Sequence, residues 1–178
     1  NVAEINQIIE NLNQAAITDE LTQVYNRRFI NEKLPIDLYA AVGNDGVLSA
    51  ILVDVDDFKQ INDTYGHSMG DRVLRKVAEI LKNNIQRKGD WAARYGGDEF
   101  LGVLPDADRK SAKKIAERIR RQVEQETFEL RDSTVSTTIS CGVSSAGPRD
   151  SASAVDFFDR LDQKLYQSKH SGKNSISG

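Results

Sequence analysis

Two carboxylates, Asp98 and Glu99, directly follow the glycine pair at residues 96–97. Glycine allows a tight turn and a close approach of the backbone to a ligand. Adjacent carboxylates at such a turn suit a hard cation such as Mg²⁺, which prefers oxygen ligands. Residues 94–100 therefore predict a metal-binding turn, although a lone Gly-Gly-Asp also fits an ordinary solvated loop.

A second acidic cluster, Asp54, Asp56 and Asp57, follows the apolar run at residues 47–55. That run is short and β-branched and follows a turn signal, as is typical of a buried strand. Strand alternation places Asp54 and Asp56 on one face, with the Val55 carbonyl nearby. A helix predicted to begin near Asp57 exposes free backbone N–H groups that suit a phosphate. If the glycine hairpin lies beside this strand, the two clusters form a site for metal-assisted phosphoryl or nucleotidyl transfer.

Amphipathic stretches and short apolar runs alternate along the chain and must position these clusters. The spacing predicts helices over residues 26–42, 58–65, 71–87, 109–125 and 152–169. It predicts strands over residues 47–55, 91–95, 99–104 and 134–143. Pro35 weakens the first helix or kinks it. This order of elements predicts an α+β domain with a central, largely antiparallel sheet.

The first sixteen residues form a separate N-terminal segment, predicted as a linker or signalling helix. Its apolar residues follow the spacing of a coiled coil: Ile5, Ile8, Leu12 and Ala15. Two interpretations have comparable weight, a helix that packs on its own domain and the end of a longer dimeric coiled coil. The chain has no initiator methionine, so we expect a fragment whose parent protein supplies any membrane anchor or sensor.

Composition narrows the class of protein. The chain has 178 residues, 39% of them hydrophobic and 29% charged, which suits one soluble domain. A net charge of -3 gives no general attraction to nucleic acid. Cys141 is the single cysteine, so no internal disulfide forms, and we expect a packed core thiol. With neither a signal peptide nor a membrane-spanning run, the expected setting is cytoplasmic.

The residues at 94–100 resemble the signature of the GGDEF-domain diguanylate cyclase family. The resemblance extends to further motifs in the same order over residues 18–174, nearly the whole chain. These motifs lie at residues 19–22 with 26–29, 54–59 with 61–63, 66–67 with 70–71, and 168–169 with 171–174. Residues 17–178 are thus identified as a GGDEF catalytic domain, which implies a fold like the palm of nucleotide cyclases and polymerases.

The resemblance implies an enzyme that joins two GTP molecules into cyclic di-GMP and releases two pyrophosphates. Asp54 and Asp98 would be metal ligands together with the Val55 carbonyl, and Glu99 would support the metals or the nucleotide. Two Mg²⁺ or Mn²⁺ ions would be bound in each active site. Asp98 would also serve as general base on the ribose 3′-hydroxyl.

The same resemblance implies how the nucleotide is held. Asn62 and Asp71 would read the guanine edge, since an amide and a carboxylate suit its N1–H and exocyclic amine. The alternative roles are a helix C-cap for Asn62 and an N-cap for Asp71. The triphosphate would be held by the backbone N–H groups of Asp57 and Phe58 and by the side chains of Lys59, Arg94 and Lys169. Lys169 and Lys173 also fit a solvated tail.

Arg87 and Asp90 resemble the family's inhibitory site for its own product, with Arg118 as a supporting arginine. Product bound there would bridge two subunits and hold their active sites apart. The alternative is a surface ion pair, because Arg-x-x-Asp is common by chance.

One departure from the family is Gln23, at a position where relatives usually have glycine. If that residue needs a positive φ, glutamine is unfavourable there.

Catalysis would need a homodimer, because each GTP supplies a hydroxyl to the α-phosphate of the other.

Two rival functions remain. The first is a non-catalytic receptor for GTP or cyclic di-GMP, and the second is a cyclase that makes cyclic GMP or cyclic AMP. Degenerate relatives typically lose signature residues, and the presence of Asp54, Asn62, Asp71 and residues 96–100 argues against the receptor.

Overall fold

A computed structural model describes residues 1–178, with six helices and seven strands. The helices are α1 (Val2–Ile17), α2 (Arg27–Gly43), α3 (Phe58–Tyr65), α4 (His67–Asn84), α5 (Arg109–Gln125) and α6 (Ala154–His170). The strands are β1 (Leu48–Val55), β2 (Trp91–Gly96), β3 (Glu99–Pro105), β4 (Phe128–Leu130), β5 (Ser133–Val135), β6 (Ile139–Ala146) and β7 (Ile176–Ser177).

The central sheet has five strands in the order β2-β3-β1-β6-β7. β1 lies in the middle and is antiparallel to both β3 and β6, and β2 and β3 form an antiparallel hairpin. Only β7 joins the sheet in parallel, beside β6. This topology confirms the predicted α+β class with a mostly antiparallel sheet.

Helices cover both faces of the sheet because β1 is apolar on both sides. Ile51, Val53 and Val55 pack into one core cluster together with residues of α4 and α5. Leu48 and Leu52 pack into a second cluster with residues of α2 and α6. Side chains alternate along a strand, so the next residue of the second series, Asp54, falls on the face covered by α6.

The single strand predicted over residues 134–143 is wrong, because the structure divides this stretch. β5 forms a small separate hairpin with β4, and β6 begins only at Ile139. Ile139 is the register partner of Val55, the last residue of β1. The ladder with β1 stops at Val55, the Asp56 N–H still donates to the Thr138 carbonyl oxygen, and the residues before Thr138 leave the sheet.

The predicted range of the first helix is confirmed to within one residue, whereas the bounds of α4, which begins at His67, differ from the sequence prediction. α2 runs from Arg27 past Pro35 to Gly43, so the proline does not end it. α4 ends at Asn84 rather than near Arg87, because the backbone leaves helical geometry at Ile85, whose side chain is buried in the core.

No residue of α1 is buried. Ile5, Ile8 and Leu12 are 57%, 56% and 64% exposed, so the apolar stripe is not covered by the domain of the same chain. The interpretation that α1 packs on its own domain is therefore wrong, and the dimeric coiled coil stays a prediction. None of the helices combines the length and apolar character needed to cross a membrane.

Candidate active site

Strand pairing brings the two acidic clusters together. Asp54 near the end of β1 is the register partner of Glu99 at the start of β3. The Val55 N–H donates to the Asp98 carbonyl oxygen at 3.2 Å, which holds the turn of the hairpin against the end of β1. The hairpin therefore lies beside the strand, as the shared site requires.

The turn that carries Asp98 is held by Arg94. Gly97 has a φ of +40°, a conformation that glycine adopts without strain. Arg94 Nε and Nη2 donate to the Gly97 carbonyl at 2.9 and 2.7 Å. Arg94 Nη1 lies 3.3 Å from both carboxylate oxygens of Asp19. The predicted contact of Arg94 with the triphosphate stays a prediction, since its guanidinium contacts the turn and Asp19 here.

Asp54 is a buried carboxylate, 6% exposed. The pKa of Asp54 is raised to about 6, mainly by burial and also by the nearby Asp98 carboxylate, while the hydrogen bond from Lys169 opposes the shift. Lys169 Nζ lies 2.8 Å from Asp54 Oδ1. Burial also raises the pKa of Glu99, with Asp54 as the next cause. The site thus holds three carboxylates, Asp54, Asp98 and Glu99, against the one ammonium group of Lys169.

These groups suit a hard metal ion bound together with a nucleotide. The ammonium of Lys169 contacts Asp54 where a metal ion would bind that carboxylate. The Asp98 and Glu99 carboxylates offer further oxygen donors. No three His, Cys, Asp or Glu side chains converge closely enough to hold a metal ion by themselves. Mg²⁺ commonly takes only one or two carboxylates and completes its shell with substrate phosphates and water, so this donor set fits it.

The phosphate side of the site is the start of α3. Asp57 precedes the helix in the left-handed conformation, with a φ of +53°, and no side chain caps the first N–H groups. Those groups, which include the N–H of Phe58, are free for a phosphate. Lys173 Nζ contacts the Asp57 carboxylate, which places a second lysine beside the helix start. Lys173 is not among the site residues predicted from the sequence, because a lysine near a chain end usually lies in solvent; its position in the last motif is the signal that points to it. Lys59 on α3 is exposed.

Asn62 and Asp71 lie on two neighbouring helices, α3 and α4. Asn62 lies inside α3 and Asp71 inside α4, so neither residue caps a helix, and Gly66 occupies the boundary between them. The capping alternatives were therefore wrong. Both side chains are half-buried, and neither makes a hydrogen bond within the protein. An amide and a carboxylate without protein partners are available to a bound base.

Comparison with known proteins identifies the family. Residues 16–175 match the family model described as diguanylate cyclase, GGDEF domain. This chain belongs to the GGDEF-domain diguanylate cyclase family. It is 43% identical over 169 residues to the response regulator PleD of Caulobacter vibrioides, which covers 93% of this chain and 36% of PleD. It is 38% identical over 184 residues to diguanylate cyclase A of Treponema denticola, which covers 99% of this chain and 49% of that protein. The GGDEF chain thus spans less than half the length of these curated relatives.

A solved structure shows the same GGDEF fold. The coiled coil and GGDEF domain of DgcB from Caulobacter crescentus, in complex with c-di-GMP, has a TM-score of 0.91 and 29% sequence identity to this chain. The match covers 99% of this chain and 92% of that one. The predicted fold class is thus confirmed.

Within the GGDEF domain, Asp56 has a structural role. Its carboxylate accepts hydrogen bonds from Ser140 Oγ and Thr138 Oγ1, both at 2.6 Å, and from the Asn174 N–H at 3.0 Å. Asp56 is 6% exposed and joins β6 to the C-terminal segment. Its oxygens are therefore used by the protein rather than offered to a metal.

The predicted product site of the GGDEF domain is an ion pair in this structure. Arg87 Nε and Nη2 both lie 3.1 Å from the Asp90 carboxylate, and Nη2 also donates to the Pro105 carbonyl. The Asp90 side chain is 1% exposed, whereas that of Arg87 is 48% exposed. Arg118 donates to Asn84 at the end of α4, three residues before Arg87 in the chain. This geometry shows the ion pair of the alternative interpretation, and inhibition at this site stays a prediction.

Proposed function

We propose that this chain is the catalytic domain of a diguanylate cyclase that converts two GTP molecules into cyclic di-GMP and two pyrophosphates. The observation that carries the proposal is the register of β1 with β3, which sets Asp98 and Glu99 beside Asp54. Membership in the GGDEF family and the intact signature support the same reaction.

One GTP binds to each chain. Its guanine lies between Asn62 and Asp71, whose unpaired amide and carboxylate complement the donors of the base. Its phosphates lie over the start of α3, where free N–H groups favour an anion. Lys173 lies beside that position, and Lys169 is within reach of the acidic cluster that it already contacts.

The divalent ions, two Mg²⁺ or Mn²⁺ in each site, would be held by Asp54, Asp98 and the Val55 carbonyl, with support from Glu99. When bound, they neutralise phosphate charge and make the ribose 3′-hydroxyl more acidic. The buried Asp54 carboxylate needs a cationic partner, which is Lys169 in this structure. With a divalent ion on Asp54, the ammonium of Lys169 would be available to a phosphate.

Asp98 accepts the proton of the 3′-hydroxyl, since its half-buried carboxylate follows the exposed glycine pair and makes no hydrogen bond within the protein. The 3′-oxygen then forms a bond to the α-phosphorus of the other GTP. The bond from that phosphorus to the bridging oxygen breaks, and pyrophosphate leaves. A second round with the roles exchanged closes the ring.

The reaction requires two chains, because each chain offers one guanine pocket and the product contains two guanosines. The uncovered stripe of α1 is the surface that brings the chains together. Ile5, Ile8 and Leu12 repeat at coiled-coil spacing and are each more than half exposed. Cyclic di-GMP inhibits by binding Arg87, Asp90 and Arg118 and bridging two chains with their half-sites apart.

The test is to incubate the purified chain with labelled GTP and Mg²⁺ and to separate the products by chromatography. We expect cyclic di-GMP and pyrophosphate, with a rate per molecule that rises with protein concentration. Asp98→Ala and Asp54→Ala should remove turnover while the circular dichroism spectrum is retained. GTP binding without turnover would instead show a receptor, and cyclic GMP as product would show a mononucleotide cyclase. Turnover retained in either variant would contradict the metal assignment.

A further inference from the structure

Gly70, near the start of α4, lies directly against the side chain of Asn62 on α3. A Cβ atom on Gly70 would overlap Asn62 Oδ1, and it would lie 3.0 Å from Asn62 Cγ and 3.1 Å from Phe58 Cζ. Gly70 is buried, so a side chain at this position has no path into solvent. Any larger residue must therefore displace the Asn62 amide.

This contact matters because packing alone holds the Asn62 amide. Asn62 makes no side-chain hydrogen bond within the protein, so no directional interaction would return a displaced amide to its position. Asp71, the proposed partner of Asn62 in reading guanine, follows Gly70 directly in the helix. A shift of Asn62 would separate the two groups that must bind one base edge together.

Helix propensity would favour another residue at position 70. Glycine inside a helix is less favourable than alanine, because glycine loses more backbone freedom on folding. The φ of Gly70 lies outside the left-handed range, so backbone geometry does not call for glycine there. Glycine is therefore needed at this position because it lacks a side chain, and not because of its backbone conformation.

We infer that Gly70 is a positioning residue that determines base specificity by giving the Asn62 amide its place beside Asp71. The inference rests on the proposed function, in which Asn62 and Asp71 bind guanine. It assigns to Gly70 no contact with the reacting groups.

The test compares Gly70→Ala with Gly43→Ala, a helical glycine that has no atom within 4 Å of an added Cβ. The ligands are 3′-deoxy-GTP and 3′-deoxy-ITP with Mg²⁺, measured by calorimetry. Both lack the nucleophilic hydroxyl and so cannot react, and the second also lacks the exocyclic amine of guanine. Wild type and Gly43→Ala should prefer 3′-deoxy-GTP. Gly70→Ala should bind 3′-deoxy-GTP at least about tenfold more weakly and lose most of that preference, as expected when hydrogen bonds to the base are lost.

A second pair of variants separates displacement of Asn62 from a general defect. In an Asn62→Ala background the overlapping amide is gone, and only the tip of Phe58 must yield slightly. Adding Gly70→Ala to Asn62→Ala should therefore change the Kd for 3′-deoxy-GTP by less than about twofold. If Gly70→Ala alone lowers the Tm, the double variant should restore it.

Either of two results would overturn the inference. The first is that Gly70→Ala binds both ligands as tightly as wild type does. The second is that Gly70→Ala weakens 3′-deoxy-GTP binding by the same factor in the wild-type and Asn62→Ala backgrounds. Wild-type protein that binds no 3′-deoxy-GTP would overturn the proposed function itself. The role of Gly70 alone fails when wild type binds and discriminates but Gly70→Ala is unaffected.

Discussion

Replacing Asp19 with Asn tests how the turn that carries Asp98 is held. The side chains of Asp19 and Arg94 are 20% and 18% exposed, and their charged atoms are 3.3 Å apart. An exposed pair contributes about 0–1 kcal/mol, and breaking a fully buried one costs about 3–5 kcal/mol, so we expect a loss of about 1–2 kcal/mol here. Asn keeps an oxygen for the Thr22 N–H and hydroxyl, which both donate to Asp19. The substitution therefore removes the charge and retains the local hydrogen bonding.

The consequence for catalysis follows from the bonds that Arg94 makes to Gly97, the residue before Asp98. Without the Asp19 charge, the guanidinium is less well fixed and the turn shifts with it. We expect kcat to fall about tenfold while the KM for GTP changes less than about threefold, because small displacements of reacting groups slow chemistry more than binding. Arg94→Ala should have the larger effect, and the Asp19→Asn Arg94→Ala double variant should be no worse.

The assay is steady-state production of cyclic di-GMP over a range of GTP concentrations, together with urea unfolding. Arg28→Ala is the matched control, because it removes an arginine from an exposed pair with Glu32. It should leave both kcat and KM unchanged. If Arg94 serves mainly the triphosphate, Arg94→Ala will raise KM strongly and Asp19→Asn will be silent. That pattern would refute the assignment of Arg94 to the turn.

Four further predictions address the turn at Gln23, the product site, for which there are two, and the N-terminal helix. Gln23 has a φ of +60°, which is unfavourable for glutamine and not for glycine. Gln23→Gly should therefore raise the free energy of unfolding, measured in urea, by about 0.5–1 kcal/mol. If it does not rise, glutamine is not strained there. Arg87→Ala should raise the inhibitory concentration of cyclic di-GMP about tenfold or more, since the guanidinium supplies charged hydrogen bonds, and equal inhibition of both proteins would exclude this site. The same variant should lower stability by about 1–3 kcal/mol, because it leaves the buried Asp90 carboxylate without its charged partner. Ile5→Asp combined with Leu12→Asp should lower the dimer fraction in sedimentation and the rate per molecule at low protein concentration, and unchanged values would show that α1 does not join the chains.

Elements with a strong local pattern were predicted well from the sequence. The helix predicted over residues 109–125 matches α5, and the hairpin around Gly97 lies where two short apolar runs flank a glycine pair. Each pattern depends on residues a few positions apart, so neighbouring side chains alone reveal it. The stretch at residues 134–143 was predicted wrongly for the opposite reason. Its division at Ile139 depends on where β1 ends, more than eighty residues earlier in the chain.

The sequence by itself determined which chemical groups this domain can use: oxygen donors at two loops, an amide and a carboxylate for a base, and lysines near the C-terminus. Only the tertiary structure decided which of these groups are free. It uses Asp56 to hold β6, joins Arg94 to Asp19, and leaves Asn62 and Asp71 without protein partners. Partners of this kind come from segments far apart in the chain, and their meeting depends on how the sheet and helices pack. The spacing of residues along the chain does not reveal that packing. The sequence therefore identified the candidate site residues but not the hydrogen bonds and ion pairs that each of them makes in the folded protein.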